Sequence, residues 1–549
     1  MTAIREDIVW TVYNRTYTLM DMTIYDTLDK QHEFKKQTIL ADESLTKDEK
    51  LEVIKFLNVD YDNYKILSNE GIKRICENCQ VQCLATLYCE HCVRNYLKAN
   101  FSNWSSGNDD IDDLIQKCQL ETFRPDKIVE WIPYNNLQDI KYLTKGGCSE
   151  IYTATWIGGG YLKWNSKEKQ LERFGDQYVI LKELKNVESA NRSWFEEGKS
   201  HLTISNKWAD IVSCYGLTKN LSNRNYMLVI NKMDMDLRIY LQQNYNKLTW
   251  KEKIKIAYDI IHALFRTHYF ENEIHRDLHS GNILYLQLDQ EWYISDLGFC
   301  GPPDKPLNSV YGNLSYIAPE VITGKETTFA SDIYSIGILM WEISSGQPPF
   351  INHKHNYDLA MKIVNGMRPK IVPGTPLEYK KFMKQCWNAD PTKRPDAYTL
   401  LTEIKKLLQT LYFQNENDEL ISSNQESSTL YKSNSIDSIN ENFTSKIYQF
   451  YQFENFLEPK NATEEEQEAF HSKPYSFNIP DNIDDFNNSS NKNASKSSKV
   501  YKDIKNDHYE SVQLKKHDHM DIDDDDDVYN NSNFHSEEQN DLEITNGKQ

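Results

Sequence analysis

The stretch Ile274-His275-Arg276-Asp277-Leu278-His279-Ser280-Gly281-Asn282-Ile283-Leu284, followed after a short hairpin-like run by Ser295-Asp296-Leu297-Gly298, decides the reading of this chain. It places the carboxylate of Asp277 five residues before the carboxamide of Asn282, and a second carboxylate, Asp296, just ahead of a glycine. One carboxylate can take or orient a hydroxyl proton, while the other two side chains offer the hard oxygen atoms that magnesium prefers. These residue types in this order suit phosphoryl transfer, which depends on positioning and charge neutralisation more than on covalent steps.

Other segments complete the set. Val179-Ile180-Leu181-Lys182 reads as a strand that presents a lysine, and Trp194-Phe195-Glu196-Glu197 supplies an acidic partner, with Glu197 the better placed and Glu196 the alternative. Ala318-Pro319-Glu320, Asp332-Ile333-Tyr334-Ser335-Ile336-Gly337 and Asp390-Pro391-Thr392-Lys393-Arg394-Pro395 follow. Together these motifs resemble those of eukaryotic protein kinases over roughly half the chain.

The resemblance implies a two-lobed α+β fold, with a small β-rich N-lobe and a large helical C-lobe. It implies transfer of the γ-phosphate of ATP to protein hydroxyls in intracellular signalling, with protein substrates as partners and Mg2+ as cofactor. Lys182, Glu197 and Asp277 would be catalytic, and Asn282 and Asp296 would hold the metal. Leu143, Gly146, Gly147, Cys148, Ile151, Ile180, Ile230, Met233 and Leu284 would line the nucleotide pocket with Lys182. Glu320 and Arg394 would form a buried pair, and Asp332 would anchor the catalytic loop backbone.

Several positions depart from the family pattern. In the phosphate-covering loop Thr144 and Ser149 stand where the outer glycines usually are, and Gly146 keeps the middle one. Residues without the φ freedom of glycine should stiffen or reshape that loop. Cys148 replaces an aromatic at the loop tip and reads as a small apolar substitute rather than a redox switch. Ile180 replaces an alanine and should crowd the adenine side. His279 stands where serine/threonine kinases carry lysine, and reads either as catalytic or as a hydrogen-bonding loop histidine. Asn313 replaces a threonine, though its amide can still donate.

Tyr316-Ile317-Ala318-Pro319-Glu320 resembles the serine/threonine form, whereas Trp341-Glu342 and Cys386-Trp387 resemble tyrosine kinases. The expectation is the tyrosine-kinase-like group with serine/threonine specificity, tyrosine being the alternative. A pseudokinase scaffold is the rival reading, motivated by Thr144, Ser149, Ile180 and Asn313 and opposed by the presence of Lys182, Asp277 and Asp296. Ser309, ahead of Glu320, is the expected activating phosphorylation site, with Tyr311 as runner-up and Arg276 as a cation awaiting a phosphate.

Outside this region, Cys76-Glu77-Asn78-Cys79 and Cys89-Glu90-His91-Cys92 form two C-x2-C pairs. Four thiolates suit tetrahedral structural zinc; Cys83 and His91 are substitutes, and reduced cysteines in a small apolar core are the alternative, with disulfides behind both. Catalytic zinc is not expected, because four cysteines leave no open position. The remaining five of the ten cysteines are scattered singly, unlike a secreted disulfide framework.

The 549 residues exceed one ordinary domain. A net charge of -20 disfavours broad binding to nucleic acid or anionic membranes. The N-terminus has no apolar signal core, and the greasiest run, Ile333 to Ile343, is too short to cross a bilayer. A soluble intracellular protein is expected, in the cytoplasm or alternatively the nucleus, and oligomeric state is open. The organisation reads as a partly helical region at 1–70, a Cys-rich module at 71–100, a connector at 101–136, the kinase-like domain at 137–412, and an acidic, polar tail at 413–549 expected to be disordered. Two capping boxes, Thr46 with Glu49 and Thr249 with Glu252, mark helix starts; the second precedes a stripe of Ile254, Ala257, Ile261 and Leu264.

Overall fold

The computed structural model describes residues 4–21, 24–122, 124–145, 149–185, 194–301, 310–418, 445–448 and 458–471. All of them lie in one compact unit. Three helices come first: α1 (Glu6–Leu19), α2 (Leu28–Ala41) and α3 (Lys47–Ser68). The first capping box forms as read, Thr46 accepting from the Glu49 N–H while the Glu49 carboxylate accepts from Thr46. Val9, Val12, Ile39, Val53 and Leu57 make the apolar seam of this bundle. The helices also reach the large lobe, where Arg266 donates to the Tyr64 hydroxyl at 2.7 Å and Gln409 donates to the Thr18 carbonyl at 2.7 Å. They are therefore a buttress rather than a free appendage.

The short hairpin β1 (Arg74–Ile75) and β2 (Gln82–Cys83) carries the first cysteines, and α4 (Glu90–Asn100) starts from Cys89. The segment read as a connector instead supplies α5 (Asp109–Glu121) and the strand β3 (Glu130–Trp131). The small-lobe strands are β4 (Leu137–Lys145), β5 (Glu150–Trp156), the hairpin β6 (Tyr161–Asn165) and β7 (Gln170–Arg173), β8 (Gln177–Glu183), then, after helix α6 (Trp194–Ile204), β9 (Cys214–Lys219) and β10 (Tyr226–Asn231). The main sheet has the order β3-β9-β10-β8-β5-β4, with β3 parallel to β9. Gly216 permits that addition: its φ is +146°, and a Cβ there would lie 1.8 Å from the Glu130 carbonyl oxygen. Helix α5 packs on α6 through Ile111, Ile115, Cys118 and Leu202, so residues before the expected domain start complete the small lobe.

The large lobe begins with β11 (Met235–Asp236) and α7 (Leu237–Asn244), then α8 (Trp250–Tyr269), which opens on the second capping box. The hairpin β12 (Ile283–Leu286) and β13 (Glu291–Ile294) flanks the catalytic stretch, followed by β14 (Val310–Gly312) and α9 (Pro319–Ile322). Helix α10 (Phe329–Ser345) is buried along most of its length, which explains why its apolar residues cover all faces rather than one stripe. Helices α11 (Tyr357–Val364), α12 (Leu377–Cys386) and α13 (Ala397–Asp418) close the lobe, α13 lying along α8. Among the described residues, no helix is long and apolar enough to cross a membrane.

The expectation of a structureless tail does not hold along its whole length. A strand, β15 (Lys446–Tyr448), pairs antiparallel with β14, and a helix, α14 (Glu464–Phe470), starts from a capping box of Thr463 and Glu466.

Candidate active site

The catalytic stretch is held from beneath by α10. Asp332 accepts from the backbone N–H groups of His275 at 2.7 Å and Arg276 at 2.9 Å, and lies 2.8 Å from His268 Nε2. These bonds satisfy buried donors in a loop that has no ladder of its own, and Arg276 takes a left-handed φ of 68° there. Asn282 donates its side-chain amide to the Asp277 carbonyl at 2.8 Å, closing the loop across five residues. That bond commits the nitrogen of Asn282 and leaves Oδ1, a hard oxygen, as the other end of the amide.

Lys182 joins the two lobes. Its Nζ lies 2.8 Å from Glu197 Oε1 on α6 and 2.6 Å from Asp296 Oδ1. Burial alone would lower the lysine pKa, but Asp296 and then Glu197 outweigh it and hold the ammonium well above its usual range. Burial likewise opposes ionisation of Asp296, and Lys182 prevails, keeping that carboxyl well below the usual carboxylate range. Of the two candidate acids on α6, Glu197 is buried and paired, whereas Glu196 is exposed. Asp296 has φ +53°, and its Oδ1 also accepts from the Gly298 N–H at 3.1 Å. A Cβ on Gly298 would come within 2.6 Å of that oxygen, so this turn needs the glycine.

Asp277 is buried at the floor of the cleft, and burial followed by repulsion from Asp296 pushes its pKa up to about 7. Its Oδ1 accepts a hydrogen bond of 2.8 Å from Ser445, whose hydroxyl also lies 3.0 Å from His279 Nε2. His279 accepts the Gly281 N–H on Nδ1 at 3.1 Å. Burial and then Arg238 push its pKa down to about 3, which makes it a neutral ring carrying its proton on Nε2. The histidine therefore faces a hydroxyl and brings no positive charge to the cleft.

The nucleotide-pocket candidates fall on one side of the sheet. Register pairs Ile151 with Lys182, and Thr153 and Ile230 with Ile180, so Ile151, Ile180 and Ile230 share the lysine's face. Met233 is buried just beyond β10, Leu284 sits in β12, and Leu143 is exposed on β4. Gly146, Gly147 and Cys148 lie outside the described residues, as does Ser309. The expectation that Arg276 lacks a partner is corrected. It donates to the Phe299 carbonyl at 3.0 Å and to Thr327 at 3.1 Å, so it is satisfied without a phosphate.

The buried architectural pair forms as the resemblance implies. Both Arg394 Nη atoms donate to the Glu320 carboxylate at 2.7 Å. Two contributors were missed. Glu342, inside α10, accepts from Ser280 at 2.9 Å and from the Tyr316 hydroxyl, with Arg238 3.6 Å away, and so props the catalytic loop from a second point. A glutamate in an apolar helix run was the available signal. Ser445 is the other, and the available signal was the run of Ile447, Tyr448, Phe450, Tyr451 and Phe453 just after it, strand-favouring residues inside a tail that is polar on average.

Away from the cleft, the thiols of Cys76, Cys79, Cys89 and Cys92 lie within 4.8 Å of one another. Cys76 and Cys92 are 3.7 Å apart, and Cys79 and Cys89 3.6 Å. A tetrahedral ion with sulfur ligands at ~2.3 Å sets its ligand sulfurs ~3.8 Å apart, close to both distances. Cys83 groups instead with Cys89 and Glu90, and His91 bonds the Gln82 carbonyl.

With this geometry in place, residues 137–404 match the family described as protein tyrosine and serine/threonine kinase. A probable serine/threonine-protein kinase of Dictyostelium discoideum is 25% identical over 327 residues, covering 56% of this chain and 17% of the relative. Roco7 of the same organism, also named a probable serine/threonine-protein kinase, is 27% identical over 290 residues, 51% of this chain and 10% of its own length. A probable LIM domain-containing serine/threonine-protein kinase from that organism is 30% identical over 201 residues, 36% of this chain and 30% of the relative. The chain thus spans 10–30% of the length of these relatives. Residues 137–404 are a domain of the eukaryotic protein kinase superfamily.

Proposed function

We propose that the chain is an ATP-dependent protein kinase acting on serine or threonine hydroxyls, of the tyrosine-kinase-like group. The observation that carries this reading is the joining of both lobes at Lys182, paired to Glu197 and Asp296, above an Asp277 that already accepts a hydrogen bond from a serine hydroxyl. Lys182 is the group to meet nucleotide phosphates, and Glu197 keeps it extended toward the cleft. Asp277 orients the acceptor hydroxyl and takes its proton. Asn282 and Asp296 present the oxygen atoms that would hold magnesium, whose charge neutralises the phosphates when bound. A neutral His279 positions the acceptor rather than stabilising phosphoryl charge.

Incubation of the purified full chain with magnesium-ATP and mixed serine, threonine and tyrosine peptides tests the reading. Phosphoserine or phosphothreonine is expected; phosphotyrosine alone would reassign the specificity. A folded protein that binds ATP without transfer would be the pseudokinase scaffold instead.

The four cysteines are proposed to hold one structural zinc, supported by thiol separations that match a tetrahedral ion. Elemental analysis of protein purified without chelator should find about one zinc per chain, lost in Cys76→Ser. Zinc-free protein of unchanged stability would favour a reduced-cysteine core.

A further inference from the structure

The strand β15 occupies a place that the kinase motifs do not account for. Its backbone pairs with β14 in the register Gly312 to Lys446, Tyr311 to Ile447 and Val310 to Tyr448. Among the described residues the two form a sheet of their own, β15 lying along one edge of β14, so that main-chain bonds hold the tail as in peptide capture by strand pairing and adjacent side chains are presented to the host. Gly312 brings that edge to the catalytic carboxylate, since a Cβ there would lie 3.3 Å from Asp277 Oδ1. The residue directly before the strand is therefore delivered to the cleft floor. That residue is Ser445, 8% exposed, with its hydroxyl 2.8 Å from Asp277 and 3.0 Å from His279.

We propose that Ser445 is a phosphate acceptor on the chain's own tail, presented in cis to Asp277 by the pairing of β15 with β14. The assignment rests on the domain being an active kinase. His279 Nε2–H donates to Ser445 Oγ, which turns the hydroxyl proton toward Asp277 and leaves an oxygen lone pair for attack. In the step, Ser445 Oγ bonds to the γ-phosphorus of ATP. The bond from that phosphorus to the β–γ bridging oxygen breaks, and its electron pair leaves on ADP. The hydroxyl proton passes to Asp277 and then to solvent.

A second contact holds the same tail. Asn461 Oδ1 accepts the Ala389 N–H at 2.9 Å, and the Lys460 N–H donates to the Val364 carbonyl at 3.1 Å. Farther along, Gln467 donates to the Gly366 carbonyl at 2.6 Å. Tethering on the C-terminal side of β15 raises the local concentration of the acceptor without any further affinity.

The test uses the full chain with magnesium-ATP and a serine/threonine peptide mixture, phosphate being mapped by mass spectrometry. Ser445 should gain phosphate with a first-order rate unchanged over about a hundredfold dilution. An isotope-labelled Asp277→Asn chain mixed in should stay unmodified at Ser445, and Ser445→Ala should lose that phosphopeptide. Peptide phosphorylation without phosphate at Ser445 would overturn the acceptor assignment while leaving the kinase reading intact. Phosphate on the labelled chain, or a rate that falls with dilution, would overturn presentation in cis. Transfer to neither peptide nor Ser445 by folded protein would overturn the kinase reading itself, and the proposal with it.

Discussion

The catalytic loop and the tail strand lying against it are held by different balances of buried charge and neutral hydrogen bonds. Beneath the loop, Asp332 and Glu342 are buried carboxylates facing backbone N–H groups, hydroxyls, the His268 ring and the Arg238 guanidinium. The tail strand has three paired residues, one serine hydroxyl on the Asp277 carboxylate, and a separate anchor of neutral hydrogen bonds with one exposed ion pair, Glu458 to Lys325. Bonds to buried charge contribute ~1.5–3 kcal/mol each and become costly when one partner is lost, whereas neutral bonds give ~0.5–1.5 kcal/mol. The difference suits the roles. A loop that must place Asp277 has to be over-determined, and a segment that enters and leaves the groove must not be.

The strongest way to break this contrast is Asp332→Ala. It strands the His275 and Arg276 N–H groups together and should lower stability by about 3–5 kcal/mol in urea denaturation. A loss below about 1 kcal/mol would mean that water replaces the carboxylate, and that the loop is not anchored as described. Glu342→Ala comes next, at roughly 1–3 kcal/mol, because Arg238 and Ser280 lose their shared acceptor while Tyr316 keeps its ring packing. Denaturation in parallel with Asp332→Ala checks the ranking, and a reversed order would shift the main support from one end of the loop to the other. Asn461→Ala should be the mildest, below about 1 kcal/mol in global stability, since it removes neutral bonds at the surface. Its effect should appear instead as faster amide exchange in residues 446–448. Exchange unchanged from the parent would separate the anchor from the strand.

What could be read from the sequence follows the range of the interactions. Asp277, Asn282 and Asp296 were legible because local spacing fixes them, and both capping boxes because a helix start is written within four residues. The cysteine pairs were legible for the same reason. Glu197 could be preferred over Glu196 only provisionally, since helix phase decides which of two adjacent acids turns inward. The parallel addition of β3 was not legible: two residues carry no periodicity, and their partner β9 lies about eighty residues on. Arg276 looked unpartnered because its acceptors, the Phe299 carbonyl and Thr327, belong to segments whose approach no motif encodes. Ser445 was hidden by composition. The tail as a whole is rich in Asn, Ser, Asp, Glu and Lys and reads as solvated chain, and that average masks the strand-favouring residues Ile447, Tyr448, Phe450, Tyr451 and Phe453 that follow Ser445.

The central claim is that Asp277 serves as the carboxylate for hydroxyl phosphorylation at a site whose scaffold is independent of it. Steady-state transfer from magnesium-ATP to a serine/threonine peptide, compared between the parent and Asp277→Asn at equal folded concentration and matched ATP occupancy, tests it most directly. The account predicts turnover in the parent and a loss on the order of 10² to 10⁴ in the variant, with thermal unfolding little changed. Turnover in the variant within a factor of a few of the parent would contradict it.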